Sequence, residues 1–202
     1  LLYHCMDNNG MVHLSNDDTQ LFRPGIVHRI DRLTSGILVI TKNNESHLAL
    51  KEQFENHTIT RKYICLCHGT PSKSNGRINS IIGRHPIVRT RQAILQDLTE
   101  YPVDQLESIV DNFGKGRLAK SAWKKLDSFN ISMDDEKTIP LKHEVSLIEF
   151  QLFTGRTHQI RTQMQKFGHP LLFDPIYRTS TRKKTQLHLP IAQTNQEKYI
   201  LK

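Results

Sequence analysis

Asp31 has the setting that most invites chemistry. It sits between Arg29 and Arg32 in Gly25-Ile26-Val27-His28-Arg29-Ile30-Asp31-Arg32-Leu33-Thr34-Ser35-Gly36-Ile37. Arginine on either side favours the ionised carboxylate, which suits a nucleophile or one half of an ion pair. From charge pattern alone an ordinary surface Arg-Asp-Arg cluster reads the same way, because exposed ion pairs are common and weak. Thr34-Ser35-Gly36 has the composition of a tight loop. Ile37-Leu38-Val39-Ile40, bounded by Gly36 and the polar run 41–44, predicts a buried strand.

A second constellation is Phe153-Thr154-Gly155-Arg156-Thr157-His158-Gln159-Ile160-Arg161. It reads as a junction from a strand to a helix, with Thr157 as the cap. Ile160, Met164 and Phe167 form the predicted buried stripe, and Gly168 the stop. Arg156 and Arg161 fall in the glycine turn and the first helical turns, where backbone N–H groups already favour anions. His28 and His158 could equally be hydrogen-bonded structural histidines.

The elements that must position these groups follow from periodicity. A helix is predicted over about 44–56, with Asn44 as N-cap and His47, Leu50 and Phe54 on one face. Residues 58–67, rich in β-branched and aromatic types, read as a strand that turns Cys65 and Cys67 to one face. A turn-rich connection runs from Gly69 to Gly76, and Pro86 argues against a central strand in the basic segment 84–91. Pro102 opens and Gly114 closes a helix whose stripe is Val103, Leu106, Ile109, Val110 and Phe113. Strands are predicted over 120–129 and 145–153, with a solvated turn at 134–137.

Bulk properties narrow the partners. The chain has 202 residues and a formal net charge of +8, which favours nucleic acid. No apolar run approaches the roughly 18 residues of a membrane span. No basic amphipathic helix with bulky anchors suggests a membrane surface either. Three cysteines (Cys5, Cys65, Cys67) do not make a disulfide framework and imply a reducing compartment. Eleven histidines show no spacing that matches a strong zinc motif, so no metal is expected. Without an internal repeat or low-complexity linker, residues 1–202 read as a single domain. The missing initial methionine and the apolar start suggest that it is shortened at its N-terminus.

Residues 28–36 resemble the catalytic motif of RluA-type pseudouridine synthases, His-Arg-Leu-Asp-x-x-Thr-Ser-Gly, with Ile30 the only departure. Gly155 through Arg161 and Gly168-His169-Pro170 resemble the family's second signature. In its Gly-Asp-x-x-Tyr-Gly segment, Phe173 and Arg178 replace the glycines flanking Asp174 and Tyr177, which puts the local turn geometry in question. Arg61-Lys62-Tyr63 resembles the family's strand with an active-site aromatic. Gly83-Arg84-His85-Pro86 with Arg89 resembles its basic RNA-facing loop, and Leu187-His188 a late Leu-His-Ala. Residues 96–114 look like an insert.

The resemblance implies an α+β fold with a mixed, largely antiparallel sheet flanked by helices, here without its first strands. It implies isomerisation of uridine in structured RNA, ribosomal ahead of transfer RNA, with no cofactor and no metal. Asp31 would be the nucleophile, Tyr63 would stack on the flipped uracil and assist proton removal, and Arg161 would pair with Asp31. Arg29 would fill the space the base vacates. His28, Thr34, Ile37, Arg84, Arg89, Arg156, His158 and Leu171 are the expected substrate contacts. The basic run 178–184 is a further expected contact. The expected state is a cytoplasmic monomer without an obligatory protein partner, or a mitochondrial one if a targeting peptide lies upstream. The alternatives are a noncatalytic RNA-binding module that retains the fold and a hydrolase of a phosphorylated substrate. The second lacks the further carboxylates a magnesium site near Asp31 would need.

Overall fold

A computed structural model of the chain describes residues 25–133 and 141–177. Its frame is a five-stranded sheet of order β1-β5-β4-β2-β3. The strands are β1 (Arg61–His68), β2 (Asn75–Arg84), β3 (Gln92–Asp97), β4 (Arg117–Met133) and β5 (Leu141–Leu152). Every pairing between them is antiparallel. With three helices packed around it, the chain is α+β, as expected, and the sheet is antiparallel throughout. The residues before 25, the turn at 134–137, the run 178–184 and Leu187-His188 lie outside the described residues.

Burial explains which strands the sequence revealed. In β5, Ile148, Phe150 and Leu152 are buried while Glu149 and Gln151 between them are partly exposed, a period-two pattern typical of a half-covered strand. β2 was not predicted, because residues 78–82 are all buried and a strand covered on both faces carries no alternation. β4 and β5 run past their predicted ends and pair beyond the sheet as a two-stranded arm.

Helices cover both faces. On one, Ile78, Ile148, Phe150 and Met164 form a core with Tyr63, Cys65, Trp123 and Ile160 at its margin. Tyr63 lies opposite Phe150, and Phe150 opposite Trp123, so an aromatic row crosses three strands. On the other face Ile81, Leu98, Leu106 and Leu118 form a second core with Ile109, Val110 and Phe113. That second core seats α2 (Leu106–Phe113), which follows a 3-10 turn at Val103–Gln105 and ends at Gly114 in a left-handed conformation. Pro102 lies just outside the turn, and Val103 of the predicted stripe is exposed.

Three expectations need correction. Ile37-Leu38-Val39-Ile40 is not a buried strand. It makes one isolated bridge, Ile26 with Ile40, and Ile37 is 85% exposed. An apolar run fixes no partner by itself, and no strand pairs with it among the described residues. The cap of α1 (Asn44–Glu55) is Asn43, whose side chain accepts the Ser46 N–H at 2.8 Å. Helix α3 (Gln159–Lys166) begins after His158, which adopts a left-handed φ of 56°, so Thr157 is not its cap.

The buried stripe of α3 is polar as well as apolar, and Phe167 is half-exposed. Gln163 is fully buried. It accepts from Ser121 at 2.8 Å and donates to Ser80 at 3.2 Å. Gln159 donates to Ser121 at 2.8 Å and accepts from Thr154 at 3.0 Å. Satisfied buried networks of this kind specify one arrangement of helix on sheet. Gly168 ends α3 as predicted. Its N–H reaches Gln165 O at 3.1 Å and that of His169 reaches Met164 O at 2.9 Å, the paired bonds of a Schellman turn. The chain then runs along the free edge of β1, where His68 N–H meets Pro170 O and Leu172 N–H meets Leu66 O.

Candidate active site

These elements enclose a cleft of about 570 Å³ between the 27–34 loop, β1 and the junction before α3. Asp31 enters it from a loop. The loop's stem is closed by the Ile26–Ile40 bridge and by the Val39 N–H, which donates to His28 Nε2 at 2.8 Å. A tight turn, Thr34 N–H to Asp31 O at 2.9 Å, sets the carboxylate at its tip. Burial and the nearby Arg61 lower the His28 pKa, which keeps the ring neutral and able to accept that bond. His28 also stacks on Phe54, ring centroids 4.9 Å apart.

The cation that meets Asp31 is not one of its sequence neighbours. Arg29 and Arg32 are exposed, whereas Arg161 Nη1 lies 3.4 Å from Asp31 Oδ2. Arg161 makes its shorter bonds to Asp174, at 2.6 Å from Nε and 2.9 Å from Nη2. Such a fork fixes the plane of the guanidinium and aims its remaining nitrogen at Asp31. Burial pushes the Asp174 carboxyl up, but Arg161 and the amides of Tyr177 and Ile176 outweigh it and hold it low. Those amides donate to Asp174 Oδ1 at 3.0 and 2.8 Å. The same hydrogen bond to Asp174 raises the pKa of Arg161.

His158 faces Asp31 from the other side, Nε2 to Oδ2 at 4.0 Å. Its Nδ1 lies 2.8 Å from the Tyr177 hydroxyl, which accepts the Gln92 N–H at 2.8 Å. In the Nε2–H tautomer the hydroxyl donates to Nδ1 while accepting from Gln92, and the Nε2 hydrogen faces Asp31. Burial, then Arg161, lower the His158 pKa against the opposing pull of Asp31 and Asp174. The ring is therefore neutral near pH 7. Arg161 also lies over the Tyr177 ring, 5.0 Å from its centroid.

The cleft gathers Asp31, Tyr63 and Arg161, together with His28, Arg29, Thr34, Arg156, His158 and Leu171. It does not include Ile37, Arg84 or Arg89. Arg84 and Arg89 are exposed at the β2–β3 connection, where His85 Nδ1 accepts the N–H groups of Ile87 and Val88 at 3.2 and 3.0 Å. Cys65 also lines the cleft, with burial pushing its thiol up to about 12, so it carries no thiolate chemistry at neutral pH. Among the described residues no group of three or more His, Cys, Asp or Glu could hold a metal. Among the described residues no helix is long and apolar enough to cross a membrane.

Sequence reading gave no role to Asp174, Tyr177 or Arg61. The Asp-x-x-Tyr spacing carried a usable signal, since a carboxylate ahead of two amides builds an Asx-type turn. Phe173, at a position where the motif it resembles has glycine, takes a left-handed φ of 60°, a conformation that costs a residue with a Cβ backbone strain.

The family model described as RNA pseudouridylate synthase matches residues 8–166. Ribosomal large subunit pseudouridine synthase D of Zymomonas mobilis is 36% identical over 183 residues, 90% of this chain and 46% of that protein. RNA pseudouridine synthase 2, chloroplastic, of Arabidopsis thaliana is 36% identical over 88% of this chain and 36% of that protein. The chain thus spans less than half the length of these curated relatives. Among solved structures, human RNA Pseudouridylate Synthase Domain Containing 1 superposes with a TM-score of 0.59 at 22% identity, over 77% of this chain and 55% of that one. Matched over most of its length and at this identity, the chain belongs to the RNA pseudouridylate synthase family.

Proposed function

We propose that this chain isomerises specific uridines in structured RNA to pseudouridine, with ribosomal RNA ahead of transfer RNA as substrate. The observation that carries the reading is the meeting of Asp31 and Arg161 at 3.4 Å in a cleft that Tyr63 also lines. The cleft's volume falls in the range of about 300–1,000 Å³ usual for small-ligand sites. A nucleotide extruded from its stack, at a cost of a few kcal/mol, is of that class.

Asp31 is the nucleophile that starts the exchange: its carboxylate bonds to the sugar C1′ as the bond to N1 breaks. The uracil turns, and the bond from Asp31 to C1′ breaks as a bond from C1′ to C5 forms. The C5 proton leaves, with Tyr63 assisting, and N1 gains one, so atoms and charge balance without a co-reactant. Arg161, clamped by Asp174, orients Asp31, and the His158 N–H supports the same carboxylate. Arg29, exposed at the mouth, fills the space the base vacates. Leu171 and Thr34 shape the pocket. Ile37, Arg84 and Arg89 meet RNA outside it, where exposed cations hold phosphates without reading sequence. The protein acts as a cytoplasmic monomer in this reading.

The test is incubation with unmodified total RNA, followed by carbodiimide-blocked primer extension, with Asp31→Asn in parallel. New stops that vanish in the variant are expected. Undiminished stops in Asp31→Asn would overturn the assignment. RNA binding by both proteins with stops from neither would instead identify a binding module.

A further inference from the structure

Arg61 lines the same cleft with no counter-charge among the described residues. Its Nε and Nη2 are buried and have no hydrogen-bond partner among the described residues. The head group is seated, not loose. It lies 6.0 Å from the centre of the Phe54 ring and packs on Gly155, where a Cβ would sit 2.7 Å from Nη1. A side chain at 155 would displace the guanidinium from that place. A buried donor without an acceptor retains its full desolvation penalty, and native structures keep such groups for a reason.

The surroundings say what would relieve it. Arg156 lines the cleft too, tied through Nε to the Leu118 carbonyl at 2.8 Å, and burial, then the nearby Arg117 and Arg61, lower its pKa. His57 lines the cleft as well. The nearby Glu107 is 71% exposed and already engaged with Lys120 at 3.3 Å. A neutral carbonyl from a base would satisfy one donor and leave the charge. A phosphodiester oxygen pair offers acceptors to both guanidinium groups and cancels charge at once.

We propose that Arg61 and Arg156 form a phosphodiester subsite that takes an RNA backbone phosphate adjoining the nucleotide held at Asp31. A small rotation of the Arg61 head group toward the cleft gives Nε and Nη2 the acceptors they lack. The proposal rests on reading the cleft as an RNA uridine site. Its reporter is His57, whose pKa is lowered by burial, then by Arg61 and Arg156.

The experiment uses the 202-residue chain with isotope-labelled histidine and inorganic phosphate as the probe, against chloride at matched ionic strength. Phosphate is expected to move the His57 ring signals and raise its titration midpoint, because an anion there cancels the field that favours the neutral ring. Arg61→Gln is expected to abolish that response. It should also weaken binding of unmodified total RNA about tenfold, the equivalent of one charge-assisted contact, and flatten its salt dependence by about one unit of slope.

A His57 that responds identically to phosphate and chloride in the unsubstituted chain overturns the proposal, and needs no variant to show it. An Arg61→Gln chain that keeps the response does the same. The two readings fail separately. A phosphate response without pseudouridine formation removes the enzymatic reading alone, and pseudouridine formation with a silent His57 removes the subsite alone.

Discussion

Arg161 and Arg61 line one cleft, yet Arg161 is forked onto Asp174 and touches Asp31, while two nitrogens of Arg61 meet no acceptor among the described residues. The difference is one of task. Arg161 is fixed, its charge matched on both sides, so it can hold a carboxylate in place without reorganising. Arg61 rests on Phe54 and Gly155 without a bonded partner to hold its head group, so its charge is left to act on whatever enters. A single cleft can thus present a compensated end suited to positioning and an uncompensated end suited to capture. The Arg161–Asp174 pair need not stabilise the fold relative to an apolar replacement, but breaking it leaves a charge stranded.

The largest expected effect tests the compensated end. Asp174→Ala should cost about 3–5 kcal/mol of stability in urea denaturation, the usual penalty for stranding one partner of a buried pair, and pseudouridine formation should fall with it. A cost under about 1 kcal/mol would make Arg161 no more dependent on its partner than a surface pair, and the contrast would collapse.

Tyr177→Phe removes the hydroxyl that joins Gln92 to His158, and should cost about 1–3 kcal/mol for the polar groups it strands. Nitrogen chemical shifts of the His158 ring should show loss of the single Nε2–H tautomer. A ring whose tautomer is unchanged would remove Tyr177 as its orienting group.

Acid should weaken the fold in two windows. His28, His57 and His158 have folded pKa values below their reference of 6.5, so the unfolded chain binds more protons. Their contribution is fully present above about pH 6.5 and is lost as pH falls through the lower folded values. Asp174, also held low, adds a second loss below the ordinary carboxylate range near pH 4. Thermal midpoints that rise as pH falls from 7 to 5 would reverse the sign.

The smallest effect belongs to the uncompensated end. Arg61→Met keeps the packing on Phe54 and removes the unpaired charge, so stability should hold or rise by up to about 1 kcal/mol. Set beside Asp174→Ala, this pair of measurements decides whether the two arginines differ as the geometry says.

The sequence alone determined a good deal of this protein. β-branched and aromatic composition revealed β1, alternation revealed β5, and the apolar stripe before Gly114 revealed α2, because one face of β5 and of α2 is covered and the other is wet. That Asp31, Tyr63 and Arg161 share one cleft agrees with the motifs that singled them out. Partner choice was legible only in part. The charge pattern around Asp31 points to its two neighbouring arginines, and only the family resemblance pointed to Arg161, which meets it at 3.4 Å because a turn directs the carboxylate into the cleft and leaves Arg29 and Arg32 exposed. The run 37–40 is apolar enough for a strand, yet burial depends on what lies against it. Asp174 with Arg161, Tyr177 with His158, and the solitary Arg61 are contacts across many residues of chain. Only the tertiary structure decided them, since spacing along a sequence records the period of a local element and carries no distance between elements.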